Sequence, residues 1–234
     1  SQKPAFTIHK RIYFPKKSKS GGVSFTLQPN KFKNTIFIVD ESSMISDSYQ
    51  ETKLYENGSL LDDLMFYVDA GQNCKIIFIG DTAQLPPVNS KLSPSLDPEY
   101  LEVNYNKNVL SIELDEVVRQ EVLSGILNNA TILRESLINK DFEDFKFNLS
   151  GFKDIIRLED GEDIINSLTD SYTTVGKEET ALIVRSNKRA NLYNQQIRNR
   201  ILFNENELSV GDNLMVVKNN YHWLKSTSEA GFIA

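Results

Sequence analysis

The chain has 234 residues, 40% of them hydrophobic and 25% charged, which is ordinary globular composition able to bury a core in one large domain or two smaller ones. One cysteine and two histidines exclude an internal disulfide framework, argue against a structural zinc site, and fit a reducing, cytoplasmic setting. The net charge is −6, no apolar stretch is long enough to span a bilayer, and the basic N-terminus lacks the apolar segment of a signal peptide.

Charge is unevenly spread. Residues 1–34 hold eight Lys or Arg and no Asp or Glu, leaving 18 basic against 32 acidic residues beyond, a balance of −14. A basic end on an acidic body suits a local polyanion contact, with a solvated basic face as the plain alternative. Residues 5–13 are mixed, and 14–31 read as a basic loop or hairpin around Gly21-Gly22. The β-branched and aromatic run Thr35-Ile36-Phe37-Ile38-Val39 has no alternation, so it predicts a strand buried on both faces. A helix is expected to begin after Ser59 as N-cap, with Leu61, Leu64, Met65 and Val68 on one face and Gly71 ending it. Lys75-Ile76-Ile77-Phe78-Ile79 predicts a second buried strand, with Cys74 as a buried thiol beside it. Strand, helix and strand make a βαβ unit, hence a parallel sheet and an α/β fold.

Further along, Val109 to Leu114 reads as a strand and Val117 to Leu137 as a helix. Residues 139–155 are less regular, and a domain junction is placed there, with Phe142, Phe145 and Phe147 packing it. A helix near 162–173, a strand at 181–184, a helix over 188–202 and a strand at 214–217 repeat the α/β rhythm. No internal repeat is visible.

Three strings carry chemistry. Ile36-Phe37-Ile38-Val39 ends in Asp40-Glu41. In a parallel sheet, ligands sit at the carboxyl ends of strands. One carboxylate there can hold a nucleotide-bound Mg²⁺, and the other can take a proton from water attacking a γ-phosphate. A strand ending in solvent is the plain alternative. The second string is Gly80-Asp81-Thr82-Ala83-Gln84-Leu85-Pro86-Pro87. Gly80 permits a sharp turn, Asp81 and Thr82 can form side-chain turns, and Gln84 can sense a γ-phosphate without adding charge. An ordinary turn is its alternative. The third is Glu113-Leu114-Asp115-Glu116-Val117-Val118-Arg119-Gln120, whose Arg119 can reach a phosphate with its planar fork or pair with Asp115 or Glu116.

Together these strings resemble the ATPase core of superfamily 1 DNA helicases, most closely the RecD-like group. Asp40-Glu41 is similar to the Walker B motif, Gly80 to Pro87 to motif III, and Val118-Arg119-Gln120 to the motif IV arginine. Thr7-Ile8-His9 is similar to the Thr-Ile-His of motif Ia. Val184-Arg185-Ser186-Asn187-Lys188-Arg189-Ala190, with Asn194 and Arg198, resembles the opening of a second RecA-like domain. Gly211-Asp212 through Tyr221 resembles the segment leading into an inserted small β-domain. The matches run in family order along nearly the whole chain.

The resemblance implies a RecA-like P-loop NTPase fold. A partial first domain would cover 1–125, a junction 126–155, and a partial second domain 156–234. It implies ATP and Mg²⁺ as cofactors and single-stranded DNA as partner, in an ATP-dependent helicase or translocase of the recombination and repair type. Helicase–nuclease subunits are further partners of that family. Asp40 would hold Mg²⁺, Glu41 would activate water, and Asp81 would contact the nucleotide. Gln84 would couple the γ-phosphate to DNA, and Arg119 would stabilise transferring charge. Thr7, His9, Asn187 and Lys188 would touch the DNA backbone, contacts that fix register without reading sequence. For His9 a local structural role stands level with this. For Arg198 and Arg200 a solvated helix face is preferred, and Asn187 is the expected N-cap of its helix. Tyr221 and Trp223 can stack on bases, but a core or interface role is preferred.

The sequence departs from the family in lacking a Walker A loop, the glycine-rich cradle ending in Lys-Ser or Lys-Thr. At Lys19-Ser20 the preceding glycine positions hold Tyr13 and Ser18. By the resemblance that loop lies before Ser1, and motifs V and VI lie beyond Ala234. The chain is therefore expected to be an internal fragment, inactive alone. Three rivals remain: a non-catalytic module binding nucleic acid or a partner, a nuclease subunit with metals on adjacent carboxylates, and a P-loop ATPase without a nucleic-acid role. The missing further acidic cluster weighs against the second, and the basic segment with Thr7-Ile8-His9 against the third.

Overall fold

The computed structural model describes residues 5–17, 23–48, 59–114, 124–141, 146–204, 206, 208–212 and 214. They fall into two compact units, one within 1–116 and one within 117–215. The chain thus divides near 116, and the span expected as a junction, 126–155, contributes to the second unit.

The first unit opens with helix α1 (Ile8–Ile12), which runs directly into strand β1 (Tyr13–Lys17). β1 pairs antiparallel with β2 (Val23–Leu27), Tyr13 lying opposite Leu27 and Phe14 opposite Thr26. The alternation of a strand turns Tyr13 and Phe25 into the core and Phe14 and Lys16 to solvent. Strand β3 (Ile36–Val39), helix α2 (Leu60–Asp69) and strand β4 (Lys75–Phe78) follow. β3 and β4 are parallel, with Ile38 opposite Ile77 and Val39 opposite Phe78. This is the β–α–β order read from the sequence, and the architecture is mixed α/β. The described sheets have two strands each.

α2 starts where expected. The Ser59 hydroxyl accepts from the Asp62 amide at 3.2 Å, and Asp62 and Asp63 lie in the first turn, favoured by the helix dipole. Leu61, Leu64, Met65 and Val68 are buried as the 3.6-residue period requires, each worth about 1.5–3 kcal/mol. The helix ends at Ala70, one residue before Gly71. α2 packs beneath Phe37, Val39, Ile76 and Phe78. The opposite sheet face is open among the described residues: Ile36 is 56% exposed and Ile38 66%, with Ile77 and Ile79 beside them. The expectation of burial on both faces is therefore corrected, because α2 supplies only one covering layer. Cys74 is likewise half-buried rather than buried.

Helix α3 (Pro98–Tyr105) completes the first unit. Residues 109–114, expected as a strand, pair with no described strand, and Leu110, Ile112 and Leu114 are exposed.

The second unit contains α4 (Gly125–Asn139), α5 (Gly161–Thr174) and α6 (Asn187–Arg200). The Asp154 carboxylate accepts from the Ser124 hydroxyl at 2.7 Å and from the amides of Gly125 and Ile126 at the start of α4. Those bonds hold its carboxyl below the usual carboxylate range. Buried Asn129 ties α4 to the backbone of Asn148 in both directions. The strand expected at 181–184 is not formed among the described residues, and Ile183 is 93% exposed. A strand without a neighbour leaves its backbone groups unpaired, which apolarity alone cannot offset. Of the last expected strand, 214–217, only Leu214 lies among the described residues, and Tyr221 and Trp223 lie outside them. No described helix is long and apolar enough to cross a membrane.

One buried polar contact ties the hairpin to α2. The Tyr13 hydroxyl donates to the Asp63 carboxylate at 2.6 Å, and Asp63 is 2% exposed. Removing the hydroxyl withdraws a hydrogen bond from a buried carboxylate. Tyr13→Phe is expected to lower the unfolding free energy by about 1–3 kcal/mol, read as a lower urea midpoint at unchanged slope.

Candidate functional site

Both chemistry-bearing strings of the first unit begin where a parallel strand stops. The ladder continues past the strands: the Ile79 amide donates to the Val39 carbonyl at 2.8 Å, and the Ser42 amide to the Ile79 carbonyl at 2.9 Å. Asp40-Glu41 and Gly80-Asp81 therefore leave the same edge of the sheet.

The turn after β3 is tight. Glu41 has φ 53° and ψ 42°, a left-handed conformation that costs a non-glycine residue about 1–2 kcal/mol. The Asp40 carboxylate accepts from the Glu41 amide at 3.0 Å, and both side chains are exposed. A short 3-10 turn, Ser42–Met44, follows. The Ser42 hydroxyl donates back to the Val39 carbonyl at 2.9 Å.

Two buried serines fix this turn from a distance. The Ser93 hydroxyl lies 2.7 Å from the Ile45 carbonyl and 2.8 Å from that of Ser42, and the Ser95 hydroxyl lies 2.9 Å from the Ser42 carbonyl. Two hydroxyl protons thus serve two buried carbonyls. Nothing in the sequence flags Ser93 and Ser95, since the contacts span about fifty residues. α3 adds two more anchors. The Tyr100 hydroxyl donates to Asp47 and the Tyr105 hydroxyl to Asp62, each at 2.7 Å. Burial, then the bond to Asp47, pushes the Tyr100 phenol up to about 12; burial and Asp62 raise that of Tyr105 further.

After β4, the Asp81 carboxylate accepts from the Ala83 amide at 2.9 Å, forming a side-chain turn. Thr82 beside it is exposed. Gly80 serves close approach: a Cβ there would meet Leu96 at 2.8 Å and the Ser43 backbone nitrogen at 3.0 Å. The Ser43 hydroxyl donates to the Gln84 side-chain carbonyl at 3.4 Å, a direct link between the two strings. Among the described residues no three His, Cys, Asp or Glu side chains gather as a metal cage. Magnesium arriving with nucleotide phosphates needs only one or two protein carboxylates, and the exposed Asp40 offers one at the strand end.

The remaining candidates are scattered. Thr7 is the N-cap of α1, its hydroxyl accepting from the Lys10 amide at 3.3 Å. His9 is half-buried, its ring 5.7 Å from that of Tyr13, and burial lowers its pKa below the ordinary 6.5. Lys188 and Asn187 are exposed at the start of α6, in the second unit. The N-cap of α6 is Ser186, not Asn187: Ser186 has extended backbone, and its hydroxyl reaches the Arg189 amide. Arg198 is also corrected. It pairs with Asp212 and donates to the Asn206 carbonyl, so it clamps the chain after α6 instead of facing solvent. That contact, with the Ser209 amide, holds the Asp212 carboxyl low. Arg119 lies outside the described residues, as do Lys19-Ser20, Phe142 and Phe145.

No protein-family model, no curated protein and no solved structure matches the chain.

Two outcomes test this geometry. Ser93→Ala is expected to cost about 1–3 kcal/mol, by leaving a buried carbonyl without its donor, and chemical denaturation measures it. For His9 the unfolded chain binds a proton more readily than the folded one. Its contribution to stability is complete above pH 6.5 and is lost as pH falls through and below that value. The melting temperature of His9→Gln should therefore fall less than that of the parent between pH 7 and pH 5.

Proposed function

We propose that this chain carries the metal-binding and water-activating part of an ATP-dependent DNA helicase or translocase that acts on single-stranded DNA. The observation behind this reading is the meeting of Asp40-Glu41 and Gly80-Asp81 at one edge of a parallel strand pair, with Ser43 bonded to Gln84. The order of the motifs along the sequence supports the same reading.

In this mechanism Asp40 would hold the magnesium that accompanies ATP, and the ion would supply charge neutralisation on the phosphate oxygens. The Glu41 carboxylate accepts a proton from a water molecule as its oxygen attacks the γ-phosphorus, and ADP leaves. Gln84 changes its hydrogen bonding with the γ-phosphate and passes that change through Ser43 to the turn after β3. Arg119 places a fixed positive charge near the transferring group. Thr7, His9, Asn187 and Lys188 contact the DNA backbone, which moves in step with hydrolysis. Helicase–nuclease subunits are partners in the same proposal.

The sequence holds no glycine-rich loop ending in Lys-Ser or Lys-Thr with the required spacing. The phosphate cradle must come from outside these residues, so the test uses the gene product in full. That absence favours a second reading, a module that binds nucleic acid without turnover. Glu41→Gln is expected to lower single-stranded-DNA-stimulated ATP hydrolysis by about 10²–10⁴-fold while oligonucleotide binding persists. Full hydrolysis by Glu41→Gln would sink the motor mechanism. Salt-dependent binding with no hydrolysis in the parent would select the module.

A further inference from the structure

The first unit has an open cleft of about 700 Å³, a size common for ligand sites, away from the carboxyl ends of β3 and β4. It is bounded by the solvent face of the β1–β2 hairpin, by α1, by the loop leading to β3, and by Tyr67 near the end of α2. Phe32 precedes β3, and Lys33 bridges to Gln72 ahead of β4. The cleft therefore lies toward the end where the two strands start, opposite Asp40, Glu41 and Asp81.

Its chemistry has one sign. Arg11, Lys16 and Lys31 line it, and no Asp or Glu does. Among the described residues none of the three is in an ion pair with a carboxylate. Arg11 is held by rings instead, its guanidinium carbon 4.3 Å from the centre of Phe6 and 5.4 Å from that of Phe32. Such contacts fix the plane of the fork while leaving its charge uncompensated. Phe14 stands on the outward face of β1, 43% exposed, two residues from Lys16 on the same face. The neutral Gln28, at the cleft wall, carries both donor and acceptor groups.

An exposed ring flanked by cations, without an acid nearby, matches a ligand that is planar, apolar on its faces and anionic at its margin. We propose that this cleft holds one unstacked base of a single-stranded nucleic acid on Phe14, with the flanking phosphates on Arg11, Lys16 and Lys31. The ligand class rests on the reading of this chain as a handler of single-stranded DNA; the cleft is separate from the residues given that task above. Stacking on Phe14 tolerates any base, because every base has a π-face. The cleft would hold the strand without reading its sequence.

The test is direct binding to the 234-residue chain, without nucleotide, of a fluorescein-labelled oligothymidylate and an abasic deoxyribose-phosphate oligomer of equal length. A glutamate-rich peptide serves as competitor. Phe14→Ala should weaken oligothymidylate binding roughly 5- to 100-fold, the worth of one stacked base, with little effect on the abasic oligomer. Phe14→Trp should restore it. Lys16→Ala and Lys31→Ala should each flatten the salt dependence by about 0.7 in log–log slope. Circular dichroism melts confirm that each variant folds. Equal binding of both oligomers, indifference to Phe14→Ala, or equal competition by the peptide would overturn the proposal. Hydrolysis is read separately through Glu41→Gln: a cleft that fails leaves that result untouched, and a motor reading that fails leaves the Phe14 effect standing.

Discussion

The first unit depends on the parallel register of β3 and β4. Val39 opposite Phe78 makes the strands stop level, and the bonds from Ile79 to Val39 and from Ser42 to Ile79 carry the ladder past their ends. A shift of β3 by one residue would turn Phe37 and Val39 away from α2 and present Ile36 and Ile38 in their place. It would also part the two polar strings. The fit of core to α2 and the meeting of Asp40-Glu41 with Gly80-Asp81 are thus one constraint.

Around that register the chain makes several polar contacts, those of Tyr13, Ser93 and Ser95 buried. Tyr13 reaches Asp63 from the hairpin, Ser93 and Ser95 reach the turn after β3, and Tyr100 and Tyr105 reach Asp47 and Asp62. Those of Tyr13, Ser93 and Ser95 satisfy groups whose burial would otherwise be costly. The bonds of Ser93 and Ser95 pin the turn that begins at Glu41, whose backbone is left-handed.

The same unit carries two surfaces of opposite character. Ile36, Ile38, Ile77 and Ile79 form an apolar sheet face uncovered among the described residues. The hairpin side presents Arg11, Phe14, Lys16 and Lys31. Phe14 and Lys16, like the isoleucines, are on display because strands alternate, so each pairing that fills the core also presents its other row.

Local chemistry was legible in the sequence wherever neighbours along the chain supply it. The Ser59 cap, the apolar face of α2, helices near 162–173 and 188–202, and the strands ending at Val39 and Phe78 follow from residue types and periodicity. So does the basic, acid-free N-terminal segment. Partners distant in sequence were not legible: the sheet face left open and the 181–184 run left unpaired among the described residues, the Arg198–Asp212 clamp, and the serines that pin the Glu41 turn. The candidate site divides in the same way. The sequence by itself determined which groups end the strands, Asp40-Glu41 and Gly80-Asp81, because short-range patterns set where a strand stops. Only the tertiary structure decided that Ser43 meets Gln84, and that Arg11, Phe14 and Lys16 line a cleft. Register and side-chain packing set such contacts, and they couple residues that periodicity along the chain cannot relate.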